Sequence, residues 1–228
     1  NFFQKQANTR RVKIAKNETD TTLKAIFESK KLAYPPKEVF IRIFKQEFEL
    51  ELWAKNQDSK AYQLIKTFEV CSMSGELGAK RREGDSQVPE GFYHIDYYNP
   101  YSSYFLSLRI NYPNKSDRIL GYKPALGNNI CIHGDCVSIG CISITDPQIK
   151  EVYWAVIQAK GQGQKNIPVH IFPNRMNSTN YAKLQSEFKD SPDKLVFWQN
   201  IKQGYEYFEN LRKLPEITVD KQGLYHFR

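Results

Sequence analysis

The sequence predicts an α+β protein that is mostly β, with a short helical lead-in (residues 1–37), a β-rich core (38–173) and a C-terminal helical extension (174–228) packed on that core. Three observations carry this prediction. Segments with period-two alternation come first along the chain, helical periodicity comes last, and βαβ alternation is scarce. With 228 residues, the chain can bury a core without disulfides or metal. A content of 40% hydrophobic and 14% aromatic residues excludes disorder for most of it. No apolar run approaches bilayer-spanning length, so no transmembrane segment is expected.

The elements follow in order. Asp20-Thr21-Thr22 ahead of Leu23, Ile26 and Phe27 predicts a short capped helix, broken by Pro35-Pro36. Val39, Ile41 and Ile43, then Phe48, Leu50 and Leu52, alternate on either side of Lys45-Gln46 and predict a hairpin. Further strands are expected at 62–70, 92–97, 104–110 and 130–133. A loop rich in Gly and charge separates 72 from 91, and Tyr112-Pro113-Asn114 with Asp117-Arg118 reads as another loop. Asp146 and Pro147 read as N-cap and first residue of a helix with Ile149, Val152, Tyr153, Val156 and Ile157 on its apolar face, stopped near Gly161. A core strand over 167–172 and helices over 179–188 and 192–214 complete the chain.

Lys and Arg number 33 against 25 Asp and Glu, a net charge of +8. That charge suits an anionic partner, nucleic acid or an acidic polymer. The cations are scattered, however, and no zinc-finger, RNP-like or basic-helix pattern occurs, so nucleic acid is not the expected partner. The four cysteines contain no C-x-x-C pair, which excludes zinc-ribbon and thioredoxin-type sites. Cys131, Cys136 and Cys141 recur at five-residue intervals near His133, a clustering that fits a reactive thiol better than a disulfide framework. Cys131 and Cys136 read as packing residues, with a pairing to each other or to Cys71 left open. His170 reads as structural, His94 as a core or rim residue and His226 as solvated. No cofactor and no metal site is expected.

The stretch from Ile132 to Cys141 carries chemistry. A thiolate is the nucleophile in cysteine catalysis, and a nearby imidazole can take its proton and return it to a leaving amine. His133 ends a predicted strand, and Cys141 follows Gly140, where a small residue permits close backbone approach. Backbone N–H groups around Gly140 and Cys141 suit a developing oxyanion. Read alone, the spacing fits an inert buried cysteine beside a satisfied strand histidine better.

The segment resembles the L,D-transpeptidase (YkuD-type) family, whose signature is His-Gly followed by Ser-x-Gly-Cys, here His133-Gly134 and Ser138-Ile139-Gly140-Cys141. Upstream, Gly75-Glu76-Leu77-Gly78, Glu83-Gly84-Asp85 and Val88-Pro89-Glu90-Gly91-Phe92-Tyr93 look like the family's G-D-x-x-T-P-E-G-x-Y block, and Val169-His170-Ile171-Phe172-Pro173 is a third match. The short His-to-Cys spacing, the Cys136-Val137-Ser138 run and the C-terminal extension look like the YafK-like branch.

The resemblance covers residues 38–173 and implies a twisted β sandwich or barrel that acts on peptidoglycan stem peptides containing diaminopimelate. Cys141 would form a thioester, His133 would be general base and acid, the Gly134 carbonyl would orient its ring, and Ser138 would brace the loop or touch substrate. Ser143 stands where the family often has Arg or Asn, and Ile139 where many members have His. Substrate carboxylate binding is therefore assigned to Arg118, or to Lys80 and Arg81, with Tyr112 in a substrate wall. The expected setting is the bacterial periplasm or cell envelope, with an export signal already removed and the chain a monomer. The alternatives are hydrolysis, by an L,D-carboxypeptidase or an amidase releasing a peptidoglycan-linked lipoprotein, and a catalytically silent wall-binding module.

Overall fold

A computed structural model describes residues 1–228. The hairpin strands β1 (Glu38–Phe44) and β2 (Glu49–Lys55) form as expected and are followed by β3 (Gln63–Glu69) and the short β4 (Ser72–Met73). Then come β5 (Gly91–Asn99), β6 (Ser107–Ile110), β7 (Cys131–His133), β8 (Ile142–Ser143) and β9 (Pro168–Phe172). These nine strands make one sheet in the order β3-β2-β1-β9-β5-β6-β7-β8-β4. Two neighbour pairs, β1–β9 and β7–β8, are parallel. The architecture is α+β and mostly β.

Alternation along β1 sends its side chains to two different cores. Val39, Ile41 and Ile43 face a large cluster capped by α4 (Thr145–Gly161) and by α2 (Arg10–Ser29) of the lead-in. Phe40 and Phe44 face aromatic clusters built with α6 (Pro192–Leu211), including Trp198, Tyr205 and Phe208. Both faces are therefore covered, which is why strands with interleaved charges are buried on both sides. Arg42 and Glu51, each 2% exposed, lie under α6, joined by a 2.9 Å bond from Nε to Oε2. Arg42 also reaches Glu209 of α6 at 2.5 Å, and the Trp53 indole N–H donates to Glu51 at 2.7 Å.

A second ionic node fastens the 72–91 loop. Lys45 donates to the carbonyls of Glu76, Gly78 and Val88 at 2.8–2.9 Å and pairs with the fully buried Glu90 at 3.0 Å. Glu90 in turn accepts from the Gly78 N–H and the Trp198 indole, both at 2.7 Å. The Pro-Glu-Gly-x-Tyr block is thus a structural joint. Gly91 has φ +137°, and a Cβ there would sit 2.6 Å from the Tyr225 hydroxyl. Tyr93 donates to Asp117 at 3.0 Å.

Several local expectations are corrected. Asp20 does not cap a short helix: it lies inside the twenty-residue α2, where its carboxylate accepts from the Tyr34 hydroxyl and the Trp154 indole. Tertiary partners, not a helix start, occupy it. Asp146 is not the N-cap of α4 but sits in its first turn, with Ile144 as the cap residue. The expected loop at Asp117-Arg118 is a short helix, α3 (Lys115–Leu120), closed by an Asn114/Asp117 capping box. Two helices and one hairpin complete the chain. α1 (Phe2–Ala7) precedes α2, α5 (Ser178–Glu187) precedes α6, and β10 (Ile217–Val219) pairs with β11 (Tyr225–Phe227) over the α6 face. No helix is long and apolar enough to cross a membrane.

Candidate active site

The site is built on the only parallel pair at the far side of the sheet. Ile132 pairs with Ile142 and His133 with Ser143, and Cys141, just ahead of β8, lies beside Cys131, whose N–H donates to its sulfur at 3.4 Å. Strand alternation points Ile132 and Ile142, both fully buried, into the core. Cys131, His133, Cys141 and Ser143 then share the other face as a two-by-two patch. A chain segment of eight residues (141 − 133) separates imidazole from thiol, and the parallel ladder brings them together.

Each ring atom of His133 has a task. Nδ1 lies 2.6 Å from the Gly134 carbonyl and donates to it, which fixes the tautomer. Nε2 is left toward the Cys141 sulfur and the Ser143 hydroxyl, the latter at 3.5 Å. The Tyr104 ring stacks on the imidazole at 4.3 Å, an arrangement that favours its cationic form. Gly134 has no room for a side chain, since a Cβ would come within 2.4 Å of an Asp146 carboxylate oxygen. That same oxygen accepts from the Asp135 N–H at 2.8 Å, so the carboxylate expected to cap α4 instead anchors the turn after His133.

The surroundings of Cys141 favour its thiolate. The Cys141 pKa is lowered to about 5, chiefly by the hydrogen bond with Cys131 and also by His133, against burial, which raises it. The Cys131 backbone N–H donates to the Cys141 sulfur at 3.4 Å. The Cys131 thiol is pushed upward by the same bond and by burial. Burial pulls His133 down, but the bond to Cys141 and the Gly134 carbonyl outweigh it and the net shift is upward. Thiolate and imidazolium therefore coexist over the window between the two pKa values.

Ser138 donates to the Cys141 carbonyl at 2.7 Å and accepts from the Ser74 N–H at 3.2 Å. Gly140 adopts φ +95°, reserved for glycine here because a Cβ would lie 3.3 Å from the Gln87 carbonyl. Its N–H donates to the Ser74 hydroxyl at 2.6 Å, so it is not free for an oxyanion, contrary to expectation. Ser143 is fully buried and donates to the Val137 carbonyl. Cys136 is not a packing residue: it forms a disulfide with Cys71, which ties the turn between His133 and Cys141 to the chain ahead of β4.

The proposed carboxylate binders separate. Lys80 is a correction: its ammonium is buried on Asp85 and the Arg82 carbonyl and offers nothing to a ligand. Arg81 is turned onto the buried Asp117 and the Phe197 ring. Tyr112 is 4% exposed and donates to the Leu126 carbonyl. Arg118 is exposed and lines a groove with Tyr112, Arg109, Lys123, Asp96 and Asn129. Asn129, at one end of that lining, has its carbonyl 3.7 Å from the Cys141 sulfur.

Sequence reasoning read Cys131 as a packing residue and did not single out Tyr104, Ser74 or Asn129. The first had a signal: a residue two before His133 on a strand shares its face. Of the other three, Tyr104 and Ser74 lie far from the motif in sequence and Asn129 lies just ahead of β7, and none carried a signal.

A thiolate beside an imidazolium on a β scaffold is what thiol-dependent acyl transfer requires. Comparison with known proteins gives the family. The YkuD profile, described as the L,D-transpeptidase catalytic domain, matches residues 38–171. The Escherichia coli (strain K12) protein named "Putative L,D-transpeptidase YafK" is 41% identical over 184 residues, covering 79% of this chain and 70% of that protein. Among solved structures, the helical cell shape determining protein Pgp2 of Campylobacter jejuni is 17% identical, with 81% and 73% of the two chains covered and a TM-score of 0.47. Bdellovibrio bacteriovorus Bd1075 is 18% identical, with 82% and 79% covered and a TM-score of 0.43. The chain belongs to the YkuD family of L,D-transpeptidase catalytic domains.

Proposed function

We propose that this chain is a cysteine acyltransferase of the bacterial cell envelope that modifies peptidoglycan through diaminopimelate-containing stem peptides. The observation that carries the reading is the Cys141–His133 pair, with Nδ1 of the ring held at 2.6 Å by the Gly134 carbonyl. The Cys141 thiolate attacks the carbonyl carbon of an amide between an L and a D centre. The tetrahedral intermediate collapses as His133 Nε2 gives its proton to the departing amine, leaving a thioester on Cys141. The neutral imidazole then takes a proton from an incoming amine, which attacks the thioester and releases the Cys141 thiolate, restoring the starting ion pair. Gly134 is a positioning group that fills the place a carboxylate holds in a Ser-His-Asp site. Arg118, exposed in the groove that Asn129 also lines, receives a substrate carboxylate. A disulfide between Cys71 and Cys136 suits an oxidising compartment such as the envelope.

Incubation with tetrapeptide muropeptides and mass analysis of the products tests the reaction. Dimers or exchanged D-amino acids are expected. Tripeptides alone would replace transfer by hydrolysis, and a separate assay on lipoprotein-linked peptidoglycan would detect amidase release. Cys141→Ala abolishes turnover while leaving the melting transition in place. Turnover retained in that variant, or no product from the wild type, overturns the reading.

A further inference from the structure

Cys131 forms no bond to substrate in the proposed acyl transfer, but it stands beside the sulfur that does and helps hold that sulfur as a thiolate. All four cysteines are accounted for: Cys71 and Cys136 are bonded, and Cys131 and Cys141 are free. The parallel pairing of β7 with β8 carries Cys141, one residue ahead of β8, to the side of Cys131, whose N–H donates to the Cys141 sulfur at 3.4 Å. Neighbouring strands lie about 4.8 Å apart, inside the span of about 4.4–6.8 Å between Cα atoms that a disulfide accepts. The two sulfurs also converge on one acceptor, the Asn129 carbonyl, at 3.6 and 3.7 Å. Both residues are half-buried, so a small oxidant reaches them.

We propose that Cys131 is a resolving thiol that captures oxidised Cys141 as a reversible Cys131–Cys141 disulfide, making this face of the sheet a peroxide-modification site. The Cys141 thiolate attacks hydrogen peroxide, breaking its O–O bond. With one proton taken up, the products are Cys141 sulfenic acid and water. The Cys131 sulfur then attacks the sulfenic sulfur, an S–S bond forms, and the hydroxyl leaves with the Cys131 proton as a second water. Two electrons from each sulfur pair are accounted for by the one peroxide reduced.

The order of events is built in. While Cys141 is a thiolate, its charge and hydrogen bond keep Cys131 protonated. Conversion to a neutral sulfenic acid removes that charge, and Arg109, paired with Cys131 across β6 and β7, favours the new thiolate. A dithiol reductant reverses the bond and returns both thiols. The inference concerns the sulfurs alone and holds whether or not the site processes peptidoglycan.

The test treats the whole chain with hydrogen peroxide, blocks residual thiols with N-ethylmaleimide and maps peptides by mass without reduction. In the wild type, both free thiols are lost together, a Cys131–Cys141 cross-linked peptide appears, and dithiothreitol removes it. In Cys131→Ser and Cys131→Ala, Cys141 proceeds to sulfinic and sulfonic acids that dithiothreitol does not reverse. The idea is overturned if wild-type Cys141 over-oxidises as fast as in these variants, if Cys131 stays alkylatable while Cys141 is lost, or if Cys141 is found joined to Cys71 or Cys136. Should either variant fail to fold, the wild-type peptide map alone decides.

Discussion

The Cys141–His133 pair and the Lys45–Glu90 pair both hold opposite charges away from bulk water, yet they end in different roles. Lys45 points three N–H donors at three carbonyls and one carboxylate, and Glu90 accepts from a backbone N–H and an indole as well. Every capacity is taken, so nothing remains for a ligand. His133 has Nδ1 satisfied at 2.6 Å, while Nε2 has only a 3.5 Å contact with Ser143 besides the sulfur. Cys141 is half-buried, and its sulfur lies beside Asn129, a residue that lines a basic groove. Saturation makes a joint, and one unsatisfied direction makes a reactive centre.

Substitutions in each pair sharpen this contrast. His133→Ala is expected to slow acylation by a factor on the order of 10²–10⁴, and to move the Cys141 pKa upward because one of the bonds holding it down is lost. Single-turnover acylation and the pH profile of iodoacetamide labelling measure the two effects. An unchanged profile would mean that the imidazole does not govern the sulfur.

Glu90→Gln should destabilise the fold by about 3–5 kcal/mol, because it leaves the Lys45 ammonium buried without its counter-charge. Denaturant unfolding reads that loss. The pH profile of thiol labelling in the folded fraction should stay where it was. A profile that moved with Glu90 would break the separation of joint from site.

In the wild type, labelling follows the thiolate population. A pKa lowered to about 5 keeps the rate on its plateau at neutral pH and lets it fall only as pH drops through that value. A rate still climbing above neutrality would place the thiol in its ordinary range. Ser143→Ala is the mildest change, with an effect of about 1 kcal/mol on the acylation barrier, the scale of one hydrogen bond.

The Cys141–His133 pairing was legible only through the family resemblance, since the spacing alone fits an inert cysteine, whereas Gly140 and Gly134 stand where φ is positive or space is absent. The β1–β2 hairpin was legible from alternation. What covers its charged face was not, since Arg42 and Glu51 meet Glu209 and Trp53 only after α6 folds back. Asp20 and Asp146 carried the local signature of caps, but acceptors are claimed by whatever donors tertiary packing supplies. The Cys71–Cys136 bond and the closeness of Cys131 to Cys141 depend on strand register across a loop, which spacing alone does not encode. Lys80 illustrates the reverse error: a cation in a basic run was taken for a ligand contact, and five residues later Asp85 had already neutralised it.

The position of β9 has a consequence for how the molecule comes into being. This strand lies between β1 and β5, although it follows both in sequence by a long stretch of chain. During synthesis the two halves of the sheet must wait, each with an open edge, until Phe172 has emerged to join them. A nascent chain of this kind is slow to close and exposed to aggregation in the interval. Its maturation therefore depends on keeping unfinished edges apart as much as on any contact in the completed protein.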